Sequence, residues 1–323
     1  MKASAIAHPN IAIVKYWGKI DEQLHLPANG SISMTLSNLL SHTTVEFGDF
    51  SRDSIVIDGK EVNDPKVQQH LNRIRQFARK DQKARVMSRN NFPSGSGIAS
   101  SASGIAALTL AACRALELNL DARELSIIAR QGSGSACRSI HGGFVEWVHS
   151  TTSEGSYAIQ LADEHYWDVR DLITIVSTER KEVSSTAGMD QTAKTSPLYQ
   201  ARLAVVEENL QAVRAAIRFK NFEKLGEIAE FDTLLMHATM MTTRPPLLYW
   251  SPVTLRVMQV VRELREEGIP VYFTIDAGAN VHVLTLPANI TKVNTRLREI
   301  DGVMKVLHCQ PGEAASIVPD HLF

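Results

Sequence analysis

The chain has 323 residues, 44% of them apolar and 21% charged, which is the balance of an ordinary globular protein with room for two domains. Its formal net charge of -1 supplies no global field for nucleic acid or an anionic membrane surface. Cys113, Cys137 and Cys309 are odd in number and far apart, which excludes a disulfide framework or a zinc spacing and fits a reducing cytoplasm.

Along the chain, His8, Pro9, Asn10 and Lys15 interrupt the first apolar stretch, so it does not read as a signal-peptide core. No run approaches the roughly 18 apolar residues of a membrane span. Residues 11–16 read as a buried strand, and residues 31–36 alternate as a half-exposed strand should. Strands at 43–47 and 54–57 follow, with Asp58 and Gly59 as a turn, and these early strands are expected to pair antiparallel. Val67, Leu71, Ile74 and Phe77 then recur at helical spacing. After a stretch at 85–88 comes a glycine-serine loop and a helix rich in alanine and leucine, ending near Leu116. A short helix near 122–130 and a strand at 142–147 close the first half.

The second half opens with a strand at 171–176. Leu203, Val206, Leu210, Val213 and Ile217 mark a long amphipathic helix. Ser251 suits an N-cap, Pro252 the first helical position and Gly268 the end of another helix. Strands near 270–275 and 281–286, a helix near 290–300 and a strand at 304–308 complete an order that a ferredoxin-type split β-α-β arrangement satisfies. The domain boundary is expected near residue 180.

The glycine-serine loop comprises Pro93, Ser94, Gly95, Ser96, Gly97, Ile98, Ala99, Ser100 and Ser101. Small residues let backbone N–H groups approach an anion, and the helix that follows adds its positive N-terminal dipole. Ser100 and Ser101 offer hydroxyls to a phosphate or to the shell of a magnesium ion. No lysine–serine or lysine–threonine pair ends a Walker pattern, and no third glycine completes a dinucleotide fingerprint. The competing reading is a plain turn before a core helix.

Other polar positions admit two readings each. Lys15 and Lys19 are spaced to face one anionic ligand, although most lysines are simply solvated. Residues 132–138 form a second small-residue nest that ends in Arg138, whose planar guanidinium matches a carboxylate. The alternative is a surface turn. Cys137 suits packing, with a thiolate pair to His141 left open. Asp276, at the end of an apolar strand, is either a turn former or a base. His237 suits a satisfied histidine on a helix.

Taken together, eight separated segments (residues 10–19, 31–36, 90–106, 130–147, 184–189, 236–239, 245–246 and 272–278) closely resemble the diphosphomevalonate decarboxylase family of the GHMP kinase superfamily. The resemblance implies an α+β chain, with a ribosomal-protein-S5-like N-terminal domain, a ferredoxin-like C-terminal domain and a cleft between them. It implies that ATP phosphorylates the 3-hydroxyl of a 5-phosphorylated mevalonate, after which phosphate and CO2 leave. Asp276 then matches the catalytic aspartate, Lys15 the lysine beside it, and Arg138 the arginine that grips the substrate carboxylate. Tyr16, Lys19, Ser133, Gly134, Ser135 and Ser185 match the pocket for the substrate's phosphate end. The loop from Pro93 to Ser101 matches the ATP phosphate site, and magnesium is implied with ATP, near Ser101. A cytoplasmic homodimer is also implied.

The chain departs from the family pattern in places. Its loop reads Pro93, Ser94, Gly95, Ser96 and Gly97 where a threonine and alanines are expected in many members, and Ala279 stands where many members have proline. Thr186 stands where bacterial relatives often carry arginine, which keeps mevalonate 5-monophosphate open as an alternative substrate. A 3-kinase that stops before decarboxylation and a non-catalytic nucleotide-binding protein are the remaining readings. The joint presence of Asp276, Lys15 and Arg138 speaks against both.

Overall fold

The computed structural model describes residues 1–92, 100–179 and 181–323. The first part runs β1 (Lys2–Ala7), β2 (Asn10–Val14), β3 (Lys19–Asp21), β4 (Leu26–Pro27), β5 (Ser31–Thr35), β6 (Ser41–Gly48), β7 (Ser54–Ile57) and β8 (Lys60–Glu61). It continues through α1 (Pro65–Ala78), β9 (Lys83–Asn90), α2 (Ser100–Ala115), α3 (Ala122–Gly132), a 3-10 helix (Gly134–Ile140), β10 (Phe144–Trp147) and β11 (Ala158–Ala162). A six-stranded sheet has the order β16-β1-β6-β9-β7-β8, where β16 (Ser316–Val318) returns from the chain's far end. Ala3, Ala5 and Ala7 alternate onto one face of this sheet with Val45, Phe47 and Val86. The small Ala106, Ala107 and Ala111 of α2 let that helix lie close against them.

Three expectations are corrected here. The early strands are not uniformly antiparallel, since β7 pairs antiparallel with β8 but parallel with β9. Phe77 is 55% exposed, because the apolar face of α1 is completed by Val67, Leu71 and Ile74 alone. Strand β5, in the second sheet of order β11-β10-β5-β2, is buried along its whole length. Its alternation is real, but Ser31 and Ser33 face the buried guanidinium of Arg138 rather than water.

The second part runs β12 (Arg170–Ile175), α4 (Ser185–Thr195), α5 (Tyr199–Arg218), α6 (Phe222–Met241), α7 (Pro252–Glu266), β13 (Val271–Thr274), β14 (Val281–Thr285), α8 (Ile290–Arg298) and β15 (Lys305–Cys309). Its antiparallel sheet has the order β13-β14-β12-β15, the ferredoxin-like arrangement. Strand β12 therefore belongs to this sheet, and a division at residue 180 would cut its first strand away. Ser251 caps α7 by accepting from Thr254 N, and Gly268 takes the left-handed φ of 84° that ends it.

One core cluster runs through both parts. Ile11, Ile13 and Val14 of β2 and Ile32 and Met34 of β5 share it with Val206, Leu210 and Val213 of α5, Ile228 of α6 and Ile173 of β12. At roughly 1.5–3 kcal/mol per fully buried side chain of this size, such a cluster holds the two parts as one body with the end of β2 at their junction.

Candidate active site

Lys15 follows directly on β2 and Asp276 follows β13, so two strand ends from opposite ends of the chain meet. Lys15 Nζ donates to Asp276 Oδ1 at 2.7 Å. The lysine is 1% exposed, while the aspartate keeps 32% of its side-chain surface open. Burial lowers the Lys15 pKa, because the ammonium is costly in a dry setting, and the attraction of Asp276 only partly restores it. For Asp276, burial pushes upward, but the charge and hydrogen bond of Lys15 outweigh it and hold the carboxyl below the usual range. The turn reading of Asp276 holds and leaves its side chain available. Its main chain forms a turn, with Gly278 N donating to Asp276 O at 2.7 Å, while its carboxylate is free to face Lys15.

Arg138 lies in the buried 3-10 helix, not in a surface turn, and is 3% exposed. Its Nε donates to Ser33 Oγ at 3.0 Å and Asn10 Oδ1 at 3.2 Å, one terminal nitrogen donates to Ser31 Oγ at 2.5 Å, and the other to Asn10 Oδ1 at 3.1 Å. One N–H on each terminal nitrogen remains without a partner among the described residues. A buried cation held only by neutral oxygens is an unbalanced charge. Two remaining donors on a buried cation suit a carboxylate. Its charge acts on both Lys15 and Asp276, so the three groups share one electrostatic site.

Of the expected phosphate-end residues, Tyr16 and Gly134 lie beside the Arg138 helix. Tyr16 packs against Trp147 with ring centroids 4.6 Å apart and the rings tilted by 58°, and its buried hydroxyl has no hydrogen-bond partner among the described residues. A Cβ on Gly134 would lie 2.9 Å from that tyrosine ring, so glycine is required there. Ser133 and Ser135 flank it, both half-buried. Lys19 opens β3, with its pKa lowered by burial, raised again by Glu22 and lowered by Lys66. Ser185 begins α4 after the N-cap Ser184.

Lys181 is the residue that sequence reasoning missed. Its Nζ donates to Ser185 Oγ at 2.7 Å and Ala277 O at 3.0 Å, tying the start of α4 to the Asp276 turn. Burial lowers its pKa, and Asp276 partly opposes this. Its only signal in the sequence is the four-residue spacing to Ser185, which any solvated lysine could share. Cys137 is buried and donates to Gly134 O, and burial pushes its thiol up to about 12. His141 Nε2 instead meets Ala158 O at 3.1 Å, so no thiolate pair forms. His237 is buried against Trp250 and the Asp276 carbonyl, with its pKa lowered by burial to about 3.

Of the expected ATP loop, Pro93, Ser94, Gly95, Ser96, Gly97 and Ala99 lie outside the described residues, and Ser100 is described only as the first residue of α2. Ser101 is exposed in the first turn of α2, where the helix dipole favours an anion. Among the described residues no cluster of three or more His, Cys, Asp or Glu could hold a metal. The donors present fit a magnesium ion carried mainly by nucleotide phosphates and water.

An α+β chain whose helix α2 starts on small residues, and which brings Lys15, Asp276 and Arg138 together, has the fold of the GHMP kinase group. Residues 7–158 match the family described as diphosphomevalonate decarboxylase-like N-terminal domain, and residues 171–313 match the mevalonate 5-diphosphate decarboxylase C-terminal domain. Diphosphomevalonate decarboxylase of Bos taurus is 40% identical over 314 residues, covering 90% of this chain and 78% of that protein. The Candida albicans protein of the same name is 38% identical, covering 90% and 86%. The mevalonate diphosphate decarboxylase of Enterococcus faecalis superposes with a TM-score of 0.93 at 41% identity, covering 98% of this chain and 99% of that one. A structure described as MDDEF in complex with MVAPP, AMPPCP and magnesium gives 0.93 at 42%, with the same coverage. The Staphylococcus aureus enzyme gives 0.94 at 38%, covering 98% of each. This chain belongs to the diphosphomevalonate decarboxylase family.

Proposed function

We propose that this cleft uses ATP to phosphorylate the tertiary 3-hydroxyl of mevalonate 5-diphosphate and then releases phosphate and CO2, leaving isopentenyl diphosphate. The observation that carries this reading is the 2.7 Å Lys15–Asp276 pair within the field of Arg138. Asp276 receives or orients the hydroxyl proton, and Lys15 offsets negative charge as the phosphoryl group moves. A magnesium ion bound with ATP would supply charge neutralisation for the transferring phosphates. Loss of the 3-phosphate builds positive charge at C3, the C1–C2 bond breaks as C1 leaves as CO2, and its electrons form the new C2–C3 double bond. Arg138 orients the C1 carboxylate until that bond breaks. Tyr16, Lys19, Ser133, Gly134, Ser135, Ser185 and Lys181 hold the substrate's phosphorylated end and the approaching phosphoryl group, while the loop from Pro93 to Ser101 cradles ATP.

Parallel measurement of ATP consumption, phosphate release and CO2 release tests this reading, with mevalonate 5-diphosphate and 5-phosphate side by side. Equal amounts of all three products from the diphosphate support it. ATP use without CO2 makes the chain a kinase, and no turnover with either substrate removes the reading. Preference for the monophosphate would give weight to Thr186, which places no cation at the start of α4.

We place the domain division between β11 and β12, since β12 pairs within the second sheet. Among the described residues no helix is long and apolar enough to cross a membrane. A cytoplasmic homodimer is the companion proposal, supported by the family resemblance and tested by sedimentation and cell fractionation.

A further inference from the structure

Asp232 on α6 and Arg202 on α5 are both 0% exposed and lie 3.6 Å apart. A buried ion pair costs several kcal/mol of desolvation per ion, and well-packed apolar residues often replace such a pair without loss. Stability alone is therefore a poor reason for it. What the pair touches gives a better one. The ladder of β2 with β5 slips between Ala12 and Val14, so Lys15 leaves the strand with its main chain in need of partners. Lys15 N donates to Asp232 Oδ2 at 2.7 Å, and Lys15 O accepts from Arg202 at 2.8 Å and from Asn29 Nδ2 at 2.9 Å. Arg202 donates to Asn29 Oδ1 at 3.3 Å, and Asn209 Nδ2 to the other Asp232 oxygen at 3.4 Å.

We infer that Asp232 and Arg202 are positioning residues that clamp the main chain of Lys15, so that its ammonium meets Asp276 in one fixed geometry. The inference rests on the role proposed above for Lys15. The clamp comes wholly from the second part of the chain and grips a strand end of the first, as Asp276 does. It thus fixes Lys15 to the same body that carries its partner. The charges close as well. Lys15 faces Asp276 from the turn after β13, Asp232 and His237 from α6, Arg202 from α5 and Arg138 from the 3-10 helix. His237 is held neutral by burial. Lys15 and Arg202 then balance Asp276 and Asp232, and Arg138, with Lys181 beside the Asp276 turn, is left over for an anionic substrate. Asp232 also favours the charged form of Lys15 directly.

The test compares wild type, Lys15→Met and Asp232→Asn as full chains. Asp232→Asn removes the charge and weakens the grip on Lys15 N, because a neutral amide oxygen accepts less strongly than a carboxylate. The expected result is a roughly tenfold fall in kcat, with KM for ATP and substrate within about twofold. The alkaline limb of kcat should also move to lower pH, because the lysine loses its proton more readily without that negative neighbour. Lower thermal stability with unchanged kcat per folded enzyme and an unmoved limb overturns the inference. Wild-type turnover in Lys15→Met overturns both this clamp and the assigned role of Lys15. An inactive Lys15→Met beside a wild-type-like Asp232→Asn overturns the clamp alone. If Asp232→Asn does not fold, Asn209→Ala frees only the outer Asp232 oxygen, with an expected kcat loss of about two- to threefold. Unchanged kcat in that variant overturns the inference.

Discussion

Asp276→Asn separates chemistry from folding. Removing one partner of a fully buried ion pair costs about 3–5 kcal/mol. Here the carboxylate is 32% exposed and Lys15 can shed its proton, so about 1–2 kcal/mol is expected. At about 2.1 cal/mol/K of unfolding entropy per residue, 323 residues give roughly 1.5 °C per kcal/mol, and Tm should fall by only about 2–3 °C. The catalytic loss should be far larger. A base or proton-orienting group is worth about 10²–10⁴-fold, and kcat should drop by about 10³-fold, or roughly 4 kcal/mol of transition-state stabilisation. The assay is coupled ATP consumption and CO2 release with mevalonate 5-diphosphate, beside calorimetric binding of a non-hydrolysable ATP analogue and a melting curve. Analogue affinity should stay within about threefold. Turnover within tenfold of wild type would remove Asp276 from the chemistry. A Tm drop of well over about 10 °C would show that the pair is chiefly structural.

Arg138→Met leaves the volume filled but removes the two unpaired donors. Substrate KM should rise about tenfold or more, and CO2 release should fall further than ATP consumption, which parallel assays would register. Because burial lowers the Lys15 pKa, its deprotonation should bring kcat down at a pH below the 10.5 of an ordinary lysine, as a pH–rate profile would show. Cys137→Ala should keep turnover within about twofold and cost about 1 kcal/mol of stability, since a thiol pushed up to about 12 is no nucleophile, and iodoacetamide should not inactivate the folded enzyme. Gly134→Ala places a methyl 2.9 Å from Tyr16 and should raise substrate KM about tenfold or more, with ATP analogue binding unaffected.

Much of this protein was legible from its residues in order. Local rules located the helix that Ser251 and Pro252 start and Gly268 ends, because caps act within one turn. Apolar spacing located α5 and the strands of the ferredoxin-like sheet, since burial on one face imposes a period. The motif set around Lys15, Arg138 and Asp276 identified the family. Other features depended on contacts between distant residues. Residues 31–35 alternate like a surface strand, and only the fold shows that the polar row faces Arg138. The parallel pairing of β7 and the return of β16 to β1 depend on which edges meet, and no local rule fixes that. Lys181 looked like any solvated lysine until the turn at Ala277 came beside it. The Asp232–Arg202 clamp joins residues roughly 200 positions from Lys15. A buried charge is stabilised only by what surrounds it in space, so its partners become visible only when the chain is folded.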